Sequence, residues 1–441
     1  MTAATARIPA GRAIVAGIAL TVCAVILILT RGYNFYFDEW DFILAAPGWS
    51  FASILQPHNE HPVMITKLVY VLLLNIAGLR TYLPYMAVLL AVHATNVVLL
   101  FELIRRRAGD AVGLGAASLL LFLGAGWENL LWAFQISFDG SVAFGLAALL
   151  VIQRTGRRQV LASVGLVAAS IMCSGIGLFF AASVGVYLLV DPRRRRDIVW
   201  FIPLAVALVA WYAAFGRQGA ATNPPPGIGN LVTAPVYAAW GMGAAAAGII
   251  GEGGWWGPPA LVAGAAIVGW TWWRLRPDGL ALAAATGLVA FYLVTGLSRA
   301  QFGYEQAGAG RYVYEGAVFW LILLADAARD LPWRGTWRPA LMACLFLACF
   351  NGGALLYEFG VAKAVQMQRE GADLQALDAA RSDPCLGSSA VVDRLVMPQV
   401  SDPALYYRAV DTYGDPAPPL PVSDRPDFDL ARANLQRTGC R

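Results

Sequence analysis

Residues 37–61 read FDEWDFILAAPGWSFASILQPHNEH, and this stretch carries the densest group of acids and histidines in the chain. It comes shortly after the first long apolar segment. Across the whole chain, 58% of residues are hydrophobic and 14% are charged, whereas soluble domains contain about 25% charged residues. This deficit, with repeated apolar runs of about 20 residues, predicts a membrane protein in which residues 37–61 form a polar loop.

The apolar runs predict an all-α polytopic fold with about 11 transmembrane helices. The first run is interpreted as an uncleaved span, the alternative being a signal peptide, because no clear cleavage motif precedes Tyr33. Between the arginines at 154–158 and those at 193–196, the chain is expected to cross twice, through short helices broken near Ser174–Gly177. The other spans are predicted at 12–30, 82–104, 110–126, 136–153, 198–215, 257–273, 279–297, 312–326 and 339–356.

Basic residues indicate the orientation, because cytoplasmic loops carry an excess of Lys and Arg. Seventeen basic residues lie at the predicted cytoplasmic side, against six in the opposite loops before the tail. This predicts a cytoplasmic N-terminus and an extracytoplasmic C-terminus. The seventeen are at positions 7, 12, 105–107, 154, 157, 158, 193–196, 274, 276, 329, 334 and 338, and the six are at 31, 67, 80, 217, 299 and 311. Membrane orientation explains these clusters, so nucleic-acid binding is not expected.

Three external segments are longer than simple turns. In the first, 31–81, the apolar piece 62–78 is expected to be a helix on the membrane surface. In the second, 216–256, the piece 230–250 is either a surface segment or a further span. The third is a small tail, 357–441, in which Cys385 and Cys440 are the only cysteines and can form a disulfide outside the cytoplasm.

The first half of the opening stretch places Asp38, Glu39 and Asp41 within four residues. In a helical turn, Asp38 and Asp41 share a face while Trp40 points away. This arrangement suits a general base beside a carboxylate that binds a metal or a hydroxyl group. The alternative is a set of solvated charges at the membrane interface, with Trp40 in an aromatic belt.

The second half places His58 and His61 three residues apart, with Glu60 between them. Imidazole binds divalent cations or donates hydrogen bonds to phosphate. The candidate metal ligands are therefore Asp38, Asp41, His58 and His61, and a divalent cation such as Mg or Mn is the candidate cofactor. The alternative is a structural histidine pair at the start of the 62–78 helix.

Two later segments add charge on the same predicted side. Glu128 lies between two spans, and Arg299 and Arg311 stand in an external loop against the usual charge bias. Guanidinium groups bind phosphate through paired donors, so the two arginines are candidate phosphate ligands; ion pairs with Glu305 or Glu315 are the alternative. Asp139 is expected to be a helix N-terminal charge and His93 a buried hydrogen-bonded residue.

This pattern resembles the GT-C superfamily of integral-membrane glycosyltransferases, which use polyprenyl-phosphate sugars as donors. The resemblance covers residues 1–356 as architecture: one span, a long external loop opening with Asp38-Glu39-Trp40-Asp41, surface helices, and a late external Arg-Tyr segment. It implies that Asp38 is the catalytic acid position and that Arg299 or Arg311 binds the lipid phosphate. The His58–His61 element is not a general feature of the superfamily, and the tail is smaller than the carbohydrate-binding domains of some members.

We therefore expect a transferase on the outer face of a bacterial plasma membrane, moving a sugar from polyprenyl phosphate to a cell-envelope glycan or lipid. Asp38, with Asp41 or Glu39 as the alternative, would act as the base. Arg299, Arg311, His58 and His61 would bind the donor phosphate, and Glu128, Trp40, Glu60 and Tyr312 would contact the substrates. A transporter or flippase of a lipid-linked sugar or small solute is the alternative, and it predicts polar residues inside the spans.

Overall fold

A computed structural model describes residues 10–219, 227–329, 331, 335–383, 386, 391–418 and 425–436. Within these ranges the chain is helical and has no β-strand, apart from one isolated bridge between His58 and His61. The all-α fold is therefore confirmed. The predicted disulfide between Cys385 and Cys440 lies outside the described residues.

Nineteen α-helices, numbered in chain order, account for most of the described residues. They are α1 Ala10–Leu29, α2 Glu39–Ala45, α3 Phe51–Leu55, α4 Met64–Ile76, α5 Leu83–Ala108, α6 Asp110–Leu121, α7 Glu128–Leu131, α8 Ile136–Ile152, α9 Arg157–Cys173, α10 Gly177–Val190, α11 Ile202–Trp211, α12 Arg217–Gly219, α13 Gly229–Gly248, α14 Gly257–Arg274, α15 Gly279–Arg299, α16 Gly310–Arg329, α17 Arg338–Ala380, α18 Pro403–Tyr413 and α19 Arg425–Gln436.

Within the described residues, six helical segments are long and apolar enough to cross a membrane. They are Gly11–Leu29, Leu83–Ala108, Ala133–Ile152, Arg195–Gly216, Gly279–Phe302 and Arg338–Ala380. No residue in the most apolar part of Arg195–Gly216 is fully buried in the fold, as expected of a helix whose side chains face lipid. The predicted break near Ser174–Gly177 is confirmed, because α9 ends at Cys173 and α10 begins at Gly177. The predicted helix 62–78 corresponds to α4.

Ion pairs join four helix ends at one end of the bundle. Arg12 of α1 pairs with Glu102 of α5, and Glu102 also accepts a hydrogen bond from Arg105 at 2.7 Å. Arg107 of α5 pairs with Asp278, before α15, and with Asp326 of α16. The start of α1, the end of α5, the start of α15 and the end of α16 therefore lie together, at what we call the arginine end.

Helix α13 occupies the segment for which the sequence left two interpretations open. At its start, the Asn230 side chain donates hydrogen bonds to Leu297 O at 2.9 Å and to Gln301 Oε1 at 2.6 Å. At its end, a Cβ added to Gly248 would lie 2.8 Å from Val313 Cγ1. Both ends of α13 therefore lie near the connection between α15 and α16, far from the arginine end. This placement favours a helix in one half of the bundle over a further crossing.

The predicted boundary at 356 falls inside α17, which runs without a break through Ala380. Its second half packs against the tail, where Leu377, Met397 and Tyr406 are fully buried. The tail in turn contacts the first loop: the rings of Tyr406 and Trp40 have centroids 5.8 Å apart, and the Leu79 amide donates to Tyr413 O at 3.0 Å. The described part of the tail is therefore folded onto the first loop.

Helix α17 approaches the 122–124 segment so closely that it requires glycine. A Cβ on Gly352 would collide with the carbonyl oxygen of Phe122, and one on Gly124 would collide with the carbonyl oxygen of Gly352. Because these carbonyl oxygens belong to the backbone, they cannot move away from an added Cβ without shifting the whole element. Close contacts of this kind also mediate helix association in membranes, where small residues let backbones meet.

We expect Gly352→Ala to lower the free energy of unfolding by about 3 kcal/mol, at the upper end of overpacking costs. Gly353→Ala is the matched control, because its Cβ would lie 3.8 Å from the nearest atom, Phe122 Cδ1, and alanine favours a helix by about 1 kcal/mol. Thermal unfolding in detergent measures both variants. Equal midpoints for the two would contradict the close approach.

Candidate functional site

A polar cavity of about 530 Å³ lies at the end of the bundle opposite the arginine end. Its walls come from the first loop, the segment from Trp127 to Phe138, the connection between α15 and α16, and α17. We call it the polar pocket. Its lining includes Tyr36, Asp38, His58, Asn59, His61, Trp127, Glu128, Trp132, Gln135, Arg299, Gln306, Arg311, Tyr312 and Lys363. Of the eleven residues proposed from sequence as site residues, seven line this one cavity, although they are spread over more than 270 positions of the chain. They are Asp38, His58, His61, Glu128, Arg299, Arg311 and Tyr312.

Asp38 stands at the start of α2 and faces the polar pocket. The residue before it, Phe37, has a φ of 51°, and Asn59, beside His58, has a φ of 50°. They are the two non-glycine residues with positive φ in the described chain. Such conformations cost of order 1–3 kcal/mol and concentrate at functional sites. Both strained residues therefore mark the stretch identified from sequence.

The imidazole of His58 lies between two carboxylates. Its Nε2 is 3.8 Å from Asp38 Oδ2, and its Nδ1 is 3.8 Å from Asp41 Oδ2. The three residues offer ligand atoms within 4.8 Å of one another, and His58 Nε2 is buried with no hydrogen-bond partner among the described residues. Two carboxylates and an imidazole form a ligand set that suits a divalent cation. His61 also lines the pocket but is not a member of this group.

Glu39 and Trp40 point away from the polar pocket, into the fold. Glu39 accepts hydrogen bonds from Tyr70 Oη at 2.6 Å, from Tyr82 Oη at 3.0 Å and from the Tyr36 amide at 2.8 Å. Trp40 Nε1 donates to Glu370 Oε1 at 2.8 Å. Both residues were proposed for the site, Glu39 as a base and Trp40 as a substrate contact, and both have structural partners instead.

Burial raises the pKa of the Glu39 carboxyl from 4.5 to about 7, although the tyrosine hydrogen bonds oppose the shift. Between these pH values Glu39 in the folded state holds a proton that the unfolded chain has lost, so the contribution of Glu39 to stability is greatest below pH 4.5 and falls as the pH rises towards 7. The shift corresponds to about 3 kcal/mol.

We therefore expect Glu39→Gln to flatten the fall in stability between pH 4.5 and pH 7, since glutamine does not titrate. Thermal unfolding midpoints across this range, compared with wild type, measure the effect. Glu358→Gln changes an exposed carboxylate and should leave the slope as it is. If the unfolding midpoints of wild type and Glu39→Gln change with pH in parallel, Glu39 does not hold a proton in the folded state.

Each arginine of the polar pocket is ion-paired with an acid from another segment. Arg299, at the end of α15, pairs with Glu60 of the first loop. Arg311, in the first turn of α16, donates from Nη1 to Glu128 Oε1 at 2.9 Å and from its amide to Glu128 Oε2 at 2.8 Å. The alternative pairings with Glu305 or Glu315 are not the ones observed. These pairs hold two guanidinium groups at the pocket wall.

An apolar groove of about 430 Å³ adjoins the polar pocket. It runs between α9, α10, α11 and α15, and its apolar walls include Ile176, Leu208, Val209 and Val294. Four residues line both cavities: His61, Phe138, Arg299 and Tyr312. A charged cavity and an apolar groove therefore meet at Arg299.

Several pocket residues were not identified from sequence. Lys363 comes from α17, and Tyr36 and Trp132 flank it. One signal was available: Lys363 is one of two lysines in the chain, the other being Lys67. Its position beside the first loop depends on a contact across more than 300 residues, which no local pattern reports.

A buried polar network lies next to the pocket, among α5, α8 and α16. Asn129 Nδ2 donates to Asp139 Oδ1 at 2.7 Å and to Glu315 Oε1 at 3.4 Å. His93 Nδ1 lies 2.8 Å from Tyr314 Oη, which confirms His93 as a buried hydrogen-bonded residue. Asp139 is fully buried, so it is more than the helix N-terminal charge expected from sequence.

Comparisons with protein-family models, with curated proteins and with solved structures found no match for this chain.

Proposed function

We propose that this protein is a membrane glycosyltransferase of the GT-C type that moves a sugar from a polyprenyl-phosphate donor to a cell-envelope acceptor. The observation that carries the proposal is the junction at Arg299, where the polar pocket meets the apolar groove. A polyprenyl-phosphate sugar has the same division: an apolar chain, an anionic phosphate and a polar sugar. Its chain fits the groove, its phosphate the junction and its sugar the pocket.

The charges at the junction suit a phosphate. Arg299 and His61 both line the groove and the pocket, and Arg311 lies on the pocket wall beside Tyr312. Guanidinium groups form charge-assisted hydrogen bonds to phosphate oxygens. When polyprenyl phosphate leaves, negative charge grows on those oxygens, and fixed cations in a partly dehydrated pocket stabilise that charge.

Asp38 is the residue best placed to accept the acceptor's proton. It lines the pocket, whereas Glu39 is held by tyrosines and Asp41 is not among the lining residues. The acceptor oxygen forms a bond to the anomeric carbon, its proton passes to Asp38, and the bond from that carbon to the phosphate oxygen breaks. Asp38, Asp41 and His58 would hold a divalent cation, which would supply positive charge near the transferred sugar.

The proposed topology has eleven spans with the polar pocket on the outer face of a bacterial plasma membrane. The ion pairs of the arginine end support it, because they gather residues assigned to the cytoplasm at the end of the bundle opposite the pocket. The positive-inside rule then directs the pocket outward. The C-terminal tail, folded onto the first loop, would be extracytoplasmic.

The test is sugar transfer by the purified protein in lipid nanodiscs. Polyprenyl-phosphate hexose and pentose donors are supplied with a membrane-glycan extract, and release of polyprenyl phosphate is measured with and without extract. Acceptor-dependent release supports the proposal. Binding of the donor to the groove without any release, under either metal-free or metal-supplemented conditions, would refute it.

The buried network favours the second candidate, a transporter or flippase. Among the described residues, Asp139 Oδ2 and Glu315 Oε2 are buried without hydrogen-bond partners, and carboxylates inside membrane helices often mark ion or proton pathways. A transporter is expected to have polar residues of this kind inside its spans. The transporter would be favoured by two results together. The wild-type protein would move a lipid-linked sugar across liposome membranes without catalysing sugar transfer, and Asp139→Asn and Glu315→Gln would abolish this movement.

A further inference from the structure

Lys363 is a buried basic residue on the wall of the polar pocket. Lys363 is 4% exposed, and its Nζ lies 3.0 Å from the centroid of the Tyr36 ring and 5.9 Å from that of the Trp132 ring. Nζ donates a hydrogen bond to Gln366 Oε1 at 3.2 Å, and Gln366 Nε2 donates to Tyr36 Oη at 2.9 Å. Aromatic and amide groups therefore hold the ammonium group in place.

Lys363 differs from the two arginines of the same pocket in having no ion-pair partner. Among the described residues no carboxylate oxygen lies within 4.0 Å of its Nζ, whereas Arg299 pairs with Glu60 and Arg311 with Glu128. Removing an ammonium group from water is costly, and a cation–π contact offsets about 1–2 kcal/mol of that cost. An anion bound in the pocket would supply the missing partner.

A second opening leads from the pocket at Lys363. It has a volume of about 340 Å³ and is lined by Trp127, Phe359, Ala362, Lys363, Val365, Gln366 and Arg369. It shares Trp127 and Lys363 with the polar pocket and shares no described residue with the apolar groove. The pocket therefore has an apolar approach at Arg299 and a separate approach at Lys363.

We propose that Lys363 binds a carboxylate or phosphate group of the acceptor, which enters through this second opening. The inference rests on the proposed function and deepens it, because it identifies the acceptor as anionic. The donor is assigned to the other approach, since its chain needs the apolar groove. The stacked rings of Trp127 and Phe359, with centroids 5.0 Å apart, give the opening an aromatic edge for a sugar face. Arg369, farther along α17, is already paired with Asp427 at 3.4 Å, so Lys363 is the basic group assigned to the anion.

Matched ligand pairs test the charge requirement with the full chain in nanodiscs. Octyl β-glucuronide is compared with octyl β-glucoside, and glucose 6-phosphate with glucose, by titration of tryptophan fluorescence. We expect at least one anionic member to bind 10-fold or more tightly than its neutral partner. Lys363→Met should abolish this preference, and Lys363→Arg should retain most of it. The preferred anion distinguishes a carboxylate from a phosphate acceptor.

Farnesyl phosphate, bound at the groove, separates failure of this inference from failure of the proposed function. Lys363→Met should bind it as wild type does, which also shows that the variant is folded. Equal affinity for charged and neutral ligands in wild type, or an anion preference that survives Lys363→Met, overturns the inference. Failure of wild type to bind farnesyl phosphate more tightly than farnesol counts against the proposed donor, whatever the result at Lys363.

Discussion

Asp38→Asn is expected to lower sugar transfer by about 10²- to 10⁴-fold, the usual contribution of a general base. The substitution keeps the size of the side chain and one oxygen, but the amide cannot accept the proton. Donor binding should change little, because the assigned phosphate ligands lie across the pocket at Arg299 and Arg311. The expected signature is a loss in kcat without a comparable change in the Kd for farnesyl phosphate.

Two variants sharpen this test. Asp110→Asn makes the same change at the arginine end, where Asp110 lies 3.6 Å from Arg105, and should leave transfer unchanged. Asp41→Asn changes the other carboxylate near His58. If Asp38→Asn and Asp41→Asn lose the same amount of transfer activity, and excess divalent cation restores it in both, Asp38 is assigned to cation binding. Transfer at the wild-type rate in Asp38→Asn would exclude it from catalysis.

The sequence predicted the parts of this fold that local patterns encode. The break between α9 and α10 follows from length: two clusters of arginines had to be joined by two crossings in too few residues for long helices. The grouping of Asp38, Asp41 and His58 was also predictable, because helical spacing puts Asp38 and Asp41 on one face and His58 follows Asp41 by only 17 positions in the same loop. The ion pair between Arg299 and Glu60 was not, since the sequence offered nearer acids as partners.

Other parts depend on which face of an element is buried. Spacing separated Asp38 and Asp41 from Trp40 but left Glu39 among the candidate bases, and it does not say that Glu39 faces a tyrosine cluster or that Trp40 faces the tail. That outcome requires Tyr70, Tyr82 and Glu370, which come from three distant segments. The extension of α17 beyond 356 was missed for a related reason. The second half of this helix has the polar composition of a soluble helix, so it does not continue the apolar run, and it is stabilised by packing against the tail.

Arg299→Gln is expected to weaken binding of farnesyl phosphate by about 30- to 100-fold, because a charge-assisted hydrogen bond to a partly buried group contributes about 2–3 kcal/mol. Farnesol, which lacks the phosphate, should bind the variant and wild type equally.

Glu60→Gln makes the opposite change, because it removes the carboxylate that pairs with Arg299. The phosphate then no longer has to displace a carboxylate from the guanidinium group. Farnesyl phosphate should therefore bind this variant at least as tightly as it binds wild type. Titration of both ligands against the three proteins measures this contrast. Equal weakening in Arg299→Gln and Glu60→Gln would mean that the pair acts as a structural bridge between the first loop and α15, and the phosphate site would then have to lie elsewhere.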